Sequence, residues 1–174
     1  AIYYPTSFAD EEEAVAYGER IARQVSEEGI VLLTNRDETL PLSAGSRVSL
    51  FSTSSVNPVL SGKGSGRALF LDTDTMKVAL EKEGFTVNPQ LWDFYDSMPF
   101  WKKRQENLYF STTSRMHEEP WENYPAEVLN SFSEYSDAAI VVLSREGGEH
   151  SDISYQSFNY LELDETEREM MQQV

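Results

Sequence analysis

Short apolar runs separated by longer stretches with helical spacing restrict this chain to an α/β architecture. Ile30, Val31, Leu32 and Leu33 read as a buried strand, residues 47–51 as a second, Phe85, Thr86 and Val87 as a third, and residues 138–143 as the clearest of all. Between them, Asp10 is placed to cap a helix whose first turn holds Glu11, Glu12 and Glu13 and whose apolar positions are Val15, Ile21, Ala22 and Val25, with Gly29 as its stop. Residues 74–83 form a second helix stopped by Gly84, Pro89 opens a third, residues 125–132 make a short fourth, and Asp164 caps a last one over 165–174. Strand, loop, helix, strand is a βαβ unit, so the expected fold is a mostly parallel sheet flanked by helices. Three or four strands without a closing half predict an incomplete sheet, within one domain over residues 1–174. Residues 98–124 carry aromatic and charged side chains without periodicity and read as an irregular excursion; within it, residues 106–111 resemble a protease recognition sequence and are assigned no function.

Charge excludes several function classes. Thirty acidic against 14 basic residues give a formal net charge of -16, which repels phosphate backbones and anionic bilayers, so neither nucleic acid nor membrane is expected as a partner. The chain has no cysteine and only His117 and His150 as imidazoles, so no metal or cofactor is expected. No apolar run approaches the roughly 20 residues that span a bilayer, and a soluble, cytoplasmic location is the expectation, with a second copy of the chain one way to cover an exposed sheet edge.

The stretch with most chemistry runs over residues 143–152, where the clearest strand ends. Loops at the carboxyl ends of parallel strands hold ligands and catalysts in such folds. Gly147 and Gly148 let the backbone turn sharply, and Glu149 follows with Arg145, Glu146, His150 and Asp152 as neighbours. Residue types alone leave this open between a site and a solvated polar loop. A second candidate is Gly62-Lys63-Gly64-Ser65-Gly66. A phosphate-binding loop needs a different order of glycine, lysine and serine leading into a helix, so nucleotide binding has no motif behind it, and a plain linker is the alternative. Trp92, Phe94, Tyr95, Phe100 and Trp101 are suited either to stacking on sugar faces or to a core or interface.

Several of these features together resemble the α/β domain of family 3 glycoside hydrolases. Residues 25–42, with Glu28-Gly29-Ile30-Val31-Leu32-Leu33-Thr34-Asn35 and Leu40-Pro41-Leu42, are similar to the segment that opens that domain. Residues 48–51 resemble its first core strand, Gly62 to Gly66 its glycine-rich loop beside the sugar site, residues 137–143 a later strand, and Gly148-Glu149 with Asp152 the loop pattern Glu-Gly-x-Asp-Arg. The resemblance implies a retaining, exo-acting glycosidase of the β-glucosidase or β-xylosidase type, its nucleophilic aspartate on a separate barrel and its general acid/base on this domain. Glu149 matches the acid/base position, with Glu146 as the alternative, and Lys63, Ser65, Arg67 and Asp152 would contact the sugar. The chain is then expected to be part of a longer enzyme and inactive without the barrel. His150 and Ile153 depart from the pattern, and a non-catalytic carbohydrate-binding or interaction module with the same fold is the alternative.

Overall fold

Strand β1, Arg47–Phe51, organises the larger part of the molecule in the computed structural model, which describes residues 7–60, 73–99, 113–115, 118–147 and 162–174, with backbone alone at 113–115, 146 and 147. Alternation along β1 sends Val48 and Leu50 to one face and Ser49 and Phe51 to the other, all of them buried. Two parallel neighbours flank it: β2, Thr86–Val87, through Arg47 opposite Thr86, and β4, Ala138–Val141, through Val48 opposite Ala138 to Phe51 opposite Val141. The order β2-β1-β4, with helices packed around it, is the expected α/β arrangement. Among the described residues β4 pairs on one side only.

Helices cover both faces. Helix α2, Thr53–Val56, follows β1; α3, Met76–Lys82, is capped by Thr75, whose hydroxyl accepts from the Val78 N–H at 3.2 Å. This start lies two residues inside the expected 74–83, because Thr75 ends the extended approach and Asp74 pairs instead with Lys82 at 2.6 Å. Helix α4, Pro89–Asp96, has Pro at its first position and Asn88 as cap. Helix α5, Ala126–Ser131, precedes β4, and α6, Glu165–Gln173, closes the order. Val48, Leu50, Val87 and Trp92 form one core with Met76, Leu80 and Ile140 around it; Phe51, Leu91, Tyr95, Tyr124, Val128 and Met170 form the other. Trp92, Phe94 and Tyr95 are therefore core residues, and Phe100 and Trp101 lie outside the described residues.

A neutral polar network crosses the second core. The Asn88 amide donates to the Ser49 hydroxyl at 3.1 Å and the Ser131 hydroxyl at 2.9 Å, while its oxygen accepts from the Leu91 N–H at 3.2 Å as the helix cap. Ser49 and Ser131 donate onward to the carbonyls of Tyr135 and Val128. The buried polar side chains thus hold one another, as burial requires.

Of the stretch 98–124, residues 113–115 and 118–124 are described. Strand β3, Thr113–Arg115, pairs antiparallel with β5, Arg145–Gly147, bringing Ser114 opposite Glu146. A 3-10 turn, Trp121–Asn123, leads Tyr124 into the core.

Residues 1–174 read as one domain in sequence, and the structure divides them into two compact units, Ala1–Pro41 and Leu42–Val174. In the first unit, helix α1, Glu11–Gly29, is capped by the Asp10 carboxylate, which accepts from the Glu13 N–H at 2.8 Å, and Glu13 returns the bond to the Ala9 N–H at 2.6 Å. Val15, Ile21 and Val25 on this helix are exposed. Ile30, Val31, Leu32 and Leu33, expected as a buried strand, instead form no regular element and are exposed, Leu33 to 89%. A strand exists only through its ladder, and among the described residues no neighbour pairs with this run.

Candidate functional site

The sheet order fixes where a ligand crevice belongs. From β1 the chain crosses to β2 on one side, and β4 occupies the other, so the topological switch point lies at the carboxyl ends of β1 and β4. Ser52 leaves β1 there, and residues 142–144 lead from β4 to β5, the Val142 N–H still bonded to the Phe51 carbonyl at 3.2 Å.

Ser52 has φ +83°, a left-handed conformation that is costly for a residue with a side chain. Local bonds support it: its hydroxyl accepts from the Ser54 N–H at 3.1 Å, and its carbonyl accepts the Ser55 N–H at 3.0 Å and the Ser55 hydroxyl at 2.7 Å. The turn therefore keeps Ser52, Thr53, Ser54 and Ser55 buried while aiming donors into the space above the sheet.

Those donors meet a carboxyl group. Glu118, only 4% exposed, accepts from the Ser52 hydroxyl and from the N–H groups of Thr53 and Glu119. Burial strips the hydration that a carboxylate needs and raises its pKa to about 7; the donors pull the other way, and the negative charge of Glu167 adds to the rise. Tyr95, from α4, is hydrogen-bonded through its hydroxyl to the Tyr124 hydroxyl and to the Ser52 N–H. Burial, then the charge of Glu118, pushes the Tyr95 phenol well above its ordinary value, and burial raises Tyr124 likewise. Both phenols are neutral donors at any pH the protein meets. The Met170 sulfur lies 4.0 Å from the Tyr95 oxygen.

One turn before Met170 on α6, Glu167 is buried and meets Arg145 in a two-pronged pair, Nη1 to Oε1 at 2.6 Å and Nη2 to Oε2 at 2.8 Å. Arg145 also donates to the carbonyls of Ser144 and Glu162. The N-cap of α6 shares the same carboxylate: Asp164 N–H donates to Glu167 Oε2 at 2.9 Å, and Glu167 N–H to Asp164 Oδ1 at 2.8 Å. The assembly is thus a buried protonatable acid, two neutral phenols and a fixed ion pair at the carboxyl ends of two parallel strands. It can hold a proton near neutrality on a carboxyl group shielded from water. Among the described residues no group of three or more His, Cys, Asp or Glu side chains could hold a metal ion.

Of the residues singled out in the sequence, Lys63, Ser65, Arg67, Glu149 and Asp152 lie outside the described residues, and the structure fixes only the backbone of Glu146, in β5. Sequence reasoning missed Glu118, Tyr124 and Glu167 as members of this cluster. The capping pattern of Asp164 and Glu167 was the one local signal available.

Residues 30–174 match the family described as the glycosyl hydrolase family 3 C-terminal domain. The chain belongs to that family. This family 3 domain also resembles solved structures. A β-glucosidase from Paenibacillus barengoltzii is 26% identical with a TM-score of 0.70, over 87% of this chain and 16% of its own. β-Glucosidase 3B from Thermotoga neapolitana, in a complex with α-D-glucose, is 24% identical with a TM-score of 0.62, over 82% of this chain and 20% of its own, which shows the shared fold. The chain thus spans a fifth or less of the length of these relatives. A search of the curated proteins gives no match.

Proposed function

We propose that this domain supplies the general acid/base and part of the sugar site of a retaining, exo-acting β-glucosidase or β-xylosidase, and that it is inactive without a barrel domain carrying the nucleophile. The observation that carries this reading is the family match over residues 30–174; in the sequence, residues 148–152 follow directly on β5. Glu149 is the acid/base, with Glu146 the alternative; Lys63, Ser65, Arg67 and Asp152 contact the sugar.

In such a reaction the protonated Glu149 gives its proton to the glycosidic oxygen as the bond from the anomeric carbon breaks. A carboxylate from the barrel then forms a glycosyl ester on the opposite face. Glu149, now ionised, takes a proton from water, the water oxygen attacks the anomeric carbon, and the ester bond breaks. The acid must remain protonated near neutrality before the first step. Glu118 illustrates how burial at this end of the sheet achieves that for a carboxyl group.

His150 and Ile153 support a second reading, a sugar-binding module without catalysis. Hydrolysis of p-nitrophenyl β-glucoside and β-xyloside by the full-length enzyme and its Glu149→Gln variant separates the two. We expect a loss on the order of a hundredfold or more in the variant and no turnover by the domain alone. Full activity in the variant would remove Glu149 from the mechanism, and turnover by the isolated domain would remove the need for the barrel.

A further inference from the structure

Glu167 is a costly residue to bury, and its partner Arg145 is itself largely, though not fully, withdrawn from water. A buried ion pair is often no more stabilising than well-packed apolar side chains of the same size, so its presence points to geometry that apolar packing could not supply. Here the geometry is specific. The guanidinium holds both carboxylate oxygens of Glu167, at 2.6 and 2.8 Å, and two carbonyls, Ser144 at 3.0 Å and Glu162 at 3.1 Å. Ser144 precedes and Glu162 follows the stretch 148–161, which contains Glu149. One side chain therefore joins the chain on both sides of that stretch.

The joint is anchored on rigid parts. Glu167 also accepts the Asp164 N–H at the cap of α6, and Met170, one turn further, is packed in the core with Tyr95 and Tyr124. Arg145 itself lies in β5, held against β3. Lysine in its place would offer a single charged point in place of a planar fork, and could not serve two oxygens of one carboxylate and two carbonyls together.

We propose that Arg145 and Glu167 are positioning residues for the general acid/base: their ion pair joins Ser144, ahead of Glu149 in the chain, to Glu162, beyond it, and proton transfer from Glu149 to the leaving oxygen depends on that joint. This rests on the reading of Glu149 given above.

The test uses the full-length enzyme with Arg145→Lys, Glu167→Gln and Glu149→Gln variants, assayed on methyl β-glucoside, whose leaving group needs a proton, and on 2,4-dinitrophenyl β-glucoside, whose leaving group does not. A displaced acid/base predicts that Arg145→Lys loses about a hundredfold in kcat/KM on the methyl glycoside and no more than about threefold on the dinitrophenyl glycoside. Azide, which attacks the glycosyl ester without needing a base, should restore kcat on the latter. Glu167→Gln, which keeps the shape of the side chain, should show the same pattern more weakly and carries the test if Arg145→Lys does not fold. Equal losses on both substrates, or none, in the folded variants would overturn the positioning role. If Glu149→Gln shows the leaving-group pattern while the other two do not, only this proposal falls. If Glu149→Gln lacks the pattern, the acid/base reading falls with it.

Discussion

Ser49 and Ser52 stand three residues apart on and just beyond β1, and each belongs to a buried polar cluster, yet the two clusters respond to burial differently. Around Ser49 every group is neutral: hydroxyls and one amide pass hydrogen bonds to one another and to carbonyls, and the amide doubles as the cap of α4. Around Ser52 the acceptor is a carboxyl group, bordered by two phenols and the charge of Glu167. Both clusters are supplied with partners, but only the second changes state within the physiological pH range. Position along the sheet separates them: the neutral network sits in the body of the core, the titratable one at the switch point where ligands bind.

Replacing Asn88 by Leu breaks the neutral cluster most severely. It removes two hydrogen bonds and leaves the Leu91 N–H uncapped inside the core, so we expect a loss of about 4 kcal/mol in urea unfolding, the same at every pH. A loss that varied between pH 5 and 8 would show that the two clusters are coupled.

Glu118→Gln sharpens the contrast from the other side. The folded carboxyl titrates near 7 against an ordinary value of 4.5, so it favours the folded state fully below about pH 4.5, and that contribution is lost as pH rises through 7. The gap amounts to about 3 kcal/mol over the whole range. The parent chain should therefore lose stability from pH 5 to 8 relative to Glu118→Gln, whose amide does not titrate. Parallel pH profiles for the two proteins would mean that Glu118 keeps an ordinary carboxylate's behaviour.

The smallest effect belongs to Ser49→Ala. Asn88 keeps Ser131, Leu91 keeps its cap, and the Tyr135 carbonyl loses one donor, for a cost of about 1 kcal/mol. A cost as large as that of Asn88→Leu, read from the same urea midpoints, would make Ser49 rather than Asn88 the centre of the network.

Much of this fold was legible because its signals are local. Asp10, Pro89 and Asp164 mark helix starts by their own chemistry, and residues 138–143 announce a strand by composition, although the strand is shorter, Ala138–Val141, and only half-buried rather than buried, with Leu143 beyond it exposed. Residues 30–33 carry the same composition and form no strand, since apolar character specifies a wish for burial and the ladder must come from a partner. The candidate site was less legible for a related reason. Glu118 lies in a stretch without periodicity, and a charged residue reads as exposed until a turn such as that at Ser52 supplies its donors. Arg145 and Glu167 are 22 residues apart and lie on different elements, β5 and α6, so no periodicity within one element links them and only folding reveals the pair.

The raised titration point of Glu118 also makes a neutral solution of this protein a mixture. The formal charge of -16 counts that carboxyl as ionised, whereas a pKa raised to about 7 leaves part of the population carrying its proton at neutral pH. Any ligand bound above β1 and β4 would meet two populations that differ by one charge beneath the turn at Ser52, and would shift their ratio by its own preference between them.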